Sequence, residues 1–165
     1  MVAALRLRRA AGHPPFTGLS CDNLRGNGAI LRQTVVGLAR LSDPGLAGWI
    51  EAEGAFPNSM VDCIVPATGP DVLAQIRDMG IDDAAPVSHE NFRQWVIEDD
   101  FPTGRPIWEA GGALFVDDVR PYEEMKLRML NGTHSMLAYA GFLAGRKYVR
   151  DVMADNALAI LVARH

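Results

Sequence analysis

The stretch ALFVDDVRPYEEMKLRMLNGTH, residues 113–134, contains the point at which the chain changes from mixed strands and helices to helices alone. Residues 113–119 are rich in apolar and β-branched side chains and predict a strand. Pro121 follows near the first turn of a helix, where its missing N–H is tolerated. Glu123 and Glu124 suit the positive end of the helix dipole. We therefore predict a seam near residues 119–122, followed by a long helix that ends at about Gly141 or Gly145.

Upstream of this seam, the hydrophobic pattern alternates between helical and strand-like spacing. Beyond the long helix, a last helix is expected over residues 147–164. The pattern predicts an α/β portion, residues 1–119, followed by an all-helical portion, residues 120–165. The predicted helices of the first portion cover residues 2–11, 27–41, 45–53 and 70–79, and its strands cover residues 15–21, 61–67, 93–99 and 113–119.

Composition excludes several classes of protein. With 48% hydrophobic residues, 22% charged residues and a net charge of −4, the 165-residue chain is typical of a globular protein and gives no electrostatic support for nucleic-acid binding. The longest apolar runs are too short to span a membrane. Cys21 and Cys63 lack metal-ligand spacing and are interpreted as reduced thiols of a cytoplasmic protein. We expect no metal site.

Three polar residues interrupt the apolar pattern of the long helix. At about 100° per residue, Lys126, His134 and Asn131 fall at about 0°, 80° and 140° around a helix axis and share one broad side. One interpretation is a solvated helix face. The other is a polar pocket, in which a desolvated lysine acts as a general base and an amide stabilises an alkoxide. The spacing alone leaves both open.

Two further stretches carry polar residues next to predicted strands. In SCDNLRGNG, residues 20–28, Asn23 and Asn27 offer amides where a strand gives way to a helix, although an Asn- and Gly-rich turn explains the composition as well. The spacing of its glycines is not a dinucleotide fingerprint. In FPNSMVDCIVPAT, residues 56–68, Asp62 interrupts an apolar strand. A carboxylate there is either at the surface or a hydrogen-bond acceptor for a bound hydroxyl.

Taken together, these stretches resemble the polyol-specific long-chain dehydrogenases, the family of mannitol dehydrogenase and fructuronate reductase. The resemblance covers most of the chain in order. Its segments are residues 20–28, 56–68, 95–109 (WVIEDDFPTGRPIWE) and 119–145 (VRPYEEMKLRMLNGTHSMLAYAGFLAG). It implies the end portion of a Rossmann-like nucleotide-binding domain over residues 1–119 and the start of an all-helical substrate domain over residues 120–165.

The resemblance also implies a reaction and a set of roles. The reaction is the metal-independent interconversion of a sugar alcohol or hexonate and its ketose or keto-acid, with NAD or NADP as cofactor. Lys126 matches the family's general acid/base, and Asn131 and Asn23 match the amides that stabilise the oxyanion. His134 and Asp62 match substrate-binding residues. Cys63, next to Asp62, stands where the resemblance leads us to expect a basic residue.

The family's glycine-rich nucleotide loop has no counterpart in this sequence. We therefore expect the chain to be incomplete, to bind nucleotide poorly and to be weakly active or inactive alone. Cofactor-binding residues stay unassigned. We also expect self-association through exposed sheet edges. The alternative hypothesis is a non-enzymatic remnant that serves as a binding or interaction module, although such a module has no need of Lys126, Asn131 and His134.

Overall fold

The computed structural model describes residues 1–164, which divide into two units. The first unit, Met1–Val119, combines helices with a three-stranded sheet, and the second, which begins at Arg120, is helical. An α/β portion followed by helices is the predicted fold class, and this prediction is confirmed. No helix within residues 1–164 is long and apolar enough to cross a membrane.

The core of the first unit lies between its first three helices. These are α1 (Val2–Ala10), α2 (Asn27–Arg40) and α3 (Pro44–Glu53). The side chain of Asp43 caps α3 by accepting a hydrogen bond from the Leu46 N–H at 2.8 Å. In all three helices the apolar residues recur at helical spacing, so each helix buries one apolar stripe against the other two. The buried residues of this cluster are Leu5, Val35, Val36, Ala39, Leu46, Ala47, Ile50 and Phe56.

The sheet of the first unit has the strand order β1-β2-β3. Strand β1 (Ser59–Asp62) pairs antiparallel with β2 (Gln94–Glu98), and β2 pairs parallel with β3 (Leu114–Val116). Helix α4 (Pro70–Asp78) lies in the connection between β1 and β2, and a 3₁₀ turn (Trp108–Gly111) precedes β3. The central strand β2 buries Val96 and Ile97, and β1 and β3 form the edges of this sheet.

Two predicted strands of the first unit are wrong or displaced. The structure has no strand over residues 15–21. Pro14 and Pro15 have no N–H to donate, and the segment is held by a hydrogen bond from the Gly18 N–H to the Ala55 carbonyl at 2.9 Å. Strand β1 lies at 59–62 rather than 61–67, because its pairing with β2 ends where Asp62 meets Gln94.

The second unit consists of helical segments with two interruptions that the sequence did not predict. The expected long helix is α5 (Arg120–Met125), a π-helical segment (Lys126–Asn131) and α6 (Gly132–Leu143). The expected last helix is divided into α7 (Val149–Met153) and α8 (Asn156–Ala163). Asp155 causes this division, because its carboxylate caps α8 by accepting from the Ala157 and Leu158 N–H groups. Within the unit, α6 packs against α7 and α8.

Candidate functional site

The π-helical segment determines which side chains of the second unit share a side. Its hydrogen bonds join residues five apart, as in the bond from the Gly132 N–H to the Leu127 carbonyl. Lys126 and Asn131 are also five residues apart, so they lie one hydrogen-bonded turn from each other. In a regular α-helix the same separation would turn them about 140° apart. Short π-helical segments of this kind are rare in proteins, and those that occur are often found at functional sites.

His134 continues the same side of the helix. It follows Asn131 by three residues in α6, and residues three apart are neighbours on an α-helix. Lys126 and Asn131 are partly buried, whereas His134 is exposed. Within residues 1–164, the Asn131 carboxamide and the His134 ring make no hydrogen bond, so both are available to a ligand. The helical geometry therefore puts the three polar residues on one side of the helix, by a π turn that the α-helical argument did not contain.

In the first unit, the two asparagines of the loop at residues 20–28 differ in role. Asn27 is buried, and its Nδ2 lies 2.9 Å from the Ser59 carbonyl and 3.0 Å from the Asp22 carbonyl. Its Oδ1 accepts from the Ser59 N–H at 2.9 Å. The idea that Asn27 offers its amide to a ligand is therefore wrong. The hydrogen bonds of Asn27 hold the loop against the start of β1. Asn23 is exposed on the same loop.

Asp62 lies at the end of β1, partly buried and opposite Gln94 in the antiparallel register. It lines a cleft of about 350 Å³ within the first unit. Trp95 and Trp108 form part of the wall of this cleft, with their ring centroids 5.4 Å apart and their planes 28° from parallel. We call this cavity the tryptophan cleft. It combines a carboxylate with aromatic surface, a combination typical of small-molecule sites.

Sequence reasoning missed the arrangement that supports Trp108. The Arg105 guanidinium donates to both carboxylate oxygens of Asp99, at 2.8 and 3.0 Å, and to both of Glu109, at 3.0 and 2.9 Å. Its carbon Cζ also lies 3.2 Å from the ring centroid of Phe115. Bidentate arginine–carboxylate pairs fix geometry well. The one sequence signal was an arginine flanked by acidic residues on both sides in the proline- and glycine-containing loop of residues 99–109.

These ion pairs predict an acid-sensitive loop. Hydrogen bonds from Arg105 lower the pKa values of Asp99 and Glu109, and the same hydrogen bonds raise the pKa of Arg105. Carboxyls with a lowered pKa stabilise the fold above their unfolded values, about 3.9 and 4.3, and this contribution is lost as the pH falls through the folded values. The stability difference between the wild type and Arg105→Met should therefore be largest near neutral pH and shrink below about pH 4.

Chemical denaturation followed by tryptophan fluorescence at several pH values measures this difference. Arg40→Met is the matched control, because it removes an exposed arginine that pairs with Glu51 through a single contact. A difference for Arg105→Met that stays constant down to pH 3 would show that the loop depends on packing against Phe115 rather than on the carboxylates.

The described residues bear on two kinds of binding site, a metal site and a pyrophosphate site at the start of α2, α3 or α4. Within residues 1–164, no group of three or more His, Cys, Asp or Glu side chains is placed to hold a metal ion. A pyrophosphate needs free N–H groups at a helix N-terminus. At α2 the Ala29 N–H donates to Asn58, α3 is capped by Asp43, and α4 carries Asp71 in its first turn. The starts of these three helices do not fit a pyrophosphate.

Comparison with known proteins gives a consistent result over nearly the whole chain. Residues 1–110 match the family model of the mannitol dehydrogenase Rossmann domain, and residues 118–164 match that of the mannitol dehydrogenase C-terminal domain. The Rossmann-like character that the sequence predicts for the first portion is thereby confirmed, as is the helical C-terminal domain that follows.

Individual relatives agree with the family models. D-mannonate oxidoreductase of Escherichia coli is 52% identical over 95% of this chain, and Polyol:NADP oxidoreductase of Gluconobacter oxydans is 45% identical over 96%. The structure of Pseudomonas fluorescens mannitol 2-dehydrogenase in ternary complex with NAD and D-mannitol superposes with a TM-score of 0.84 and 50% identity over 98% of this chain. The chain spans about a third of the length of each, 32%, 33% and 33% respectively. On the two family matches, the chain belongs to the mannitol dehydrogenase family.

Proposed function

We propose that this chain supplies the proton-transfer and substrate-binding residues of an oxidoreductase that interconverts a sugar alcohol or hexonate and its ketose or keto-acid. The π turn carries this proposal, because it puts a lysine and an asparagine five residues apart on one side of a helix, with His134 three residues further on. A solvated helix face needs no such departure from α-helical geometry. Membership of the mannitol dehydrogenase family supports the same reaction.

In this proposal each polar residue of the site has a defined chemical role. In oxidation, the Lys126 Nζ takes the proton of the reacting hydroxyl, and in reduction it returns a proton to the carbonyl oxygen. The Nδ2 groups of Asn131 and Asn23 donate hydrogen bonds to the oxygen as negative charge develops on it. His134 binds and orients the substrate, and the Asp62 carboxylate accepts a hydrogen bond from another hydroxyl.

Membership of the family supports a proposed cofactor, domain organisation and location. The reaction exchanges hydride with NAD or NADP, and the names of the relatives support both nucleotides. Residues 1–119 form part of a Rossmann-like domain and residues 120–165 part of a helical C-terminal domain. The proposed setting is the cytoplasm. The reaction itself uses no metal, and self-association through the edges of the sheet stays a prediction.

A chimera tests this proposal directly. The region of Pseudomonas fluorescens mannitol 2-dehydrogenase that superposes on this chain is replaced by residues 1–164, and NADH and NADPH consumption is followed with ketohexoses, ketopentoses and keto-hexuronates. We expect consumption with at least one substrate class. The isolated chain, assayed in parallel, measures how much activity it retains alone. A folded chimera without activity on any substrate would contradict the proposal and favour the interaction-module alternative.

A further inference from the structure

The tryptophan cleft contains a cation that the proposed reaction does not use. Arg93 immediately precedes β2, lines the cleft together with Asp62, and is exposed to solvent. Among the described residues, nothing forms an ion pair or hydrogen bond with its guanidinium. The two tryptophans of the cleft are stacked on each other. Arg93 is therefore the free charged donor of this cavity.

The chemistry of the cleft suits an elongated, polyhydroxylated anion. A guanidinium binds a carboxylate through two parallel hydrogen bonds, which a neutral hydroxymethyl group cannot reproduce. Asp62 and Gln94 face each other across the strand pair and supply acceptors and donors for hydroxyl groups. The tryptophan faces provide apolar surface for the C–H groups of a carbon chain. The volume of about 350 Å³ lies at the lower end of the range for small-molecule sites, about 300–1,000 Å³.

The wall of the cleft is also preorganised. The doubly paired Arg105 fixes the loop that carries Trp108, so the aromatic surface needs little reordering when a ligand binds. In addition, the indole N–H of Trp95 is buried without an acceptor within residues 1–164. Buried polar groups without a partner are infrequent, and each one calls for an explanation. A polar ligand in the adjoining cleft explains this N–H, because such a ligand supplies the missing acceptor after a small shift of the Trp95 ring.

We propose that the tryptophan cleft recognises the carboxylate-bearing end of a hexonate, with Arg93 as a specificity-determining residue that favours hexonates over neutral sugar alcohols. This proposal rests on the proposed function and narrows its substrate class. In it, Arg93 binds the carboxylate, Asp62 and Gln94 bind hydroxyls, and Trp95 and Trp108 contact the carbon chain.

Binding to the isolated chain tests the proposal without nucleotide or turnover. The chain has three tryptophans, and their indole N–H signals in ¹H–¹⁵N correlation spectra are assigned with Trp49→Phe, Trp95→Phe and Trp108→Phe. D-mannonate and D-mannitol are then titrated separately. We expect mannonate to shift the Trp95 and Trp108 signals and to leave Trp49, which packs against the helical core, unchanged. Mannitol should bind about tenfold more weakly.

Arg93→Met should remove this preference by weakening mannonate about tenfold while changing mannitol less than twofold. Arg77→Met, which removes an exposed arginine of α4 outside the cleft, is the matched control and should change neither ligand. Equal binding of the two ligands, or an unchanged preference in Arg93→Met, would overturn the role of Arg93. Unmoved Trp95 and Trp108 signals in a folded chain would overturn the cleft as a site. A folded but inactive chimera would contradict the proposed function and would leave the binding result for Arg93 unaffected.

Discussion

Replacing Lys126 with methionine should lower kcat/KM of the chimera by about 10³-fold, within the 10²- to 10⁴-fold that positioned acid–base groups contribute. Methionine keeps an unbranched side chain of similar length, so the packing of the π-helical segment is largely retained. What disappears is the nitrogen that exchanges a proton with the substrate oxygen. Because this transfer belongs to the transition state, the loss should appear in kcat rather than in KM.

The chain offers a clean control for this substitution. Lys147 is the only other lysine of the sequence and is exposed, with its Nζ 5.3 Å from the ring centroid of Tyr148. Lys147→Met should leave kcat and KM unchanged. Steady-state kinetics as a function of pH completes the test, since the limb of the profile that reports the lysine should vanish in Lys126→Met. A Lys126→Met enzyme with an unchanged profile and less than tenfold loss would remove Lys126 from the proposed chemistry.

Gly28→Ala should destabilise the fold by about 4 kcal/mol, a loss that is exceptional for one methyl group. Gly28 is buried in the first turn of α2, and an added Cβ would overlap the carbonyl oxygens of Phe56 and Pro57. Both obstacles are backbone atoms, which cannot rotate away as a side chain does. Relief would therefore require α2 to move away from the segment that leads into β1.

Gly37→Ala is the matched control in the same helix. An added Cβ at Gly37 meets no atom within 4 Å, so its effect is that of helix propensity alone. It should stabilise the fold by about 0.5–1 kcal/mol, because glycine is the poorer helix former. Urea denaturation of both variants measures the free energies of unfolding. A loss below about 1 kcal/mol for Gly28→Ala would show that α2 does not pack as closely as described.

Local sequence signals were sufficient to predict the helices of the first unit. Helices α1 to α4 begin and end within about two residues of their predicted positions, because apolar spacing, Pro44, Pro70 and the cap at Asp43 all act locally. The strands were harder. The predicted strand over residues 61–67 does not reveal where pairing stops, since this depends on the partner strand β2, which begins at Gln94 opposite Asp62.

The features of the candidate site that sequence reasoning missed depend on hydrogen bonds rather than on periodicity. The π turn at residues 126–131 follows from hydrogen bonds between residues five apart, which the spacing of apolar residues does not signal. Asn23 and Asn27 are equivalent by composition, and the hydrogen bonds of Asn27 to the backbone of Ser59, Ser20 and Asp22 identify it as the structural one. Likewise, Arg105 has several acidic neighbours in sequence, and the folded loop selects Asp99 and Glu109.

The buried amide of Asn27 also determines how the molecule ages. Asn27 precedes Gly28, and in an unfolded chain an Asn-Gly pair cyclises to a succinimide with loss of ammonia, which then opens to aspartate or isoaspartate. In the fold, the helical backbone and the bonds to Ser59 hold the side chain away from this reaction. An aspartate at this position would place a carboxylate against the carbonyls of Ser20 and Asp22, where the amide now donates. A transient opening of this corner thus exposes Asn27 to a permanent chemical change, so the hydrogen bonds that hold the corner closed also protect the chain from this route of inactivation.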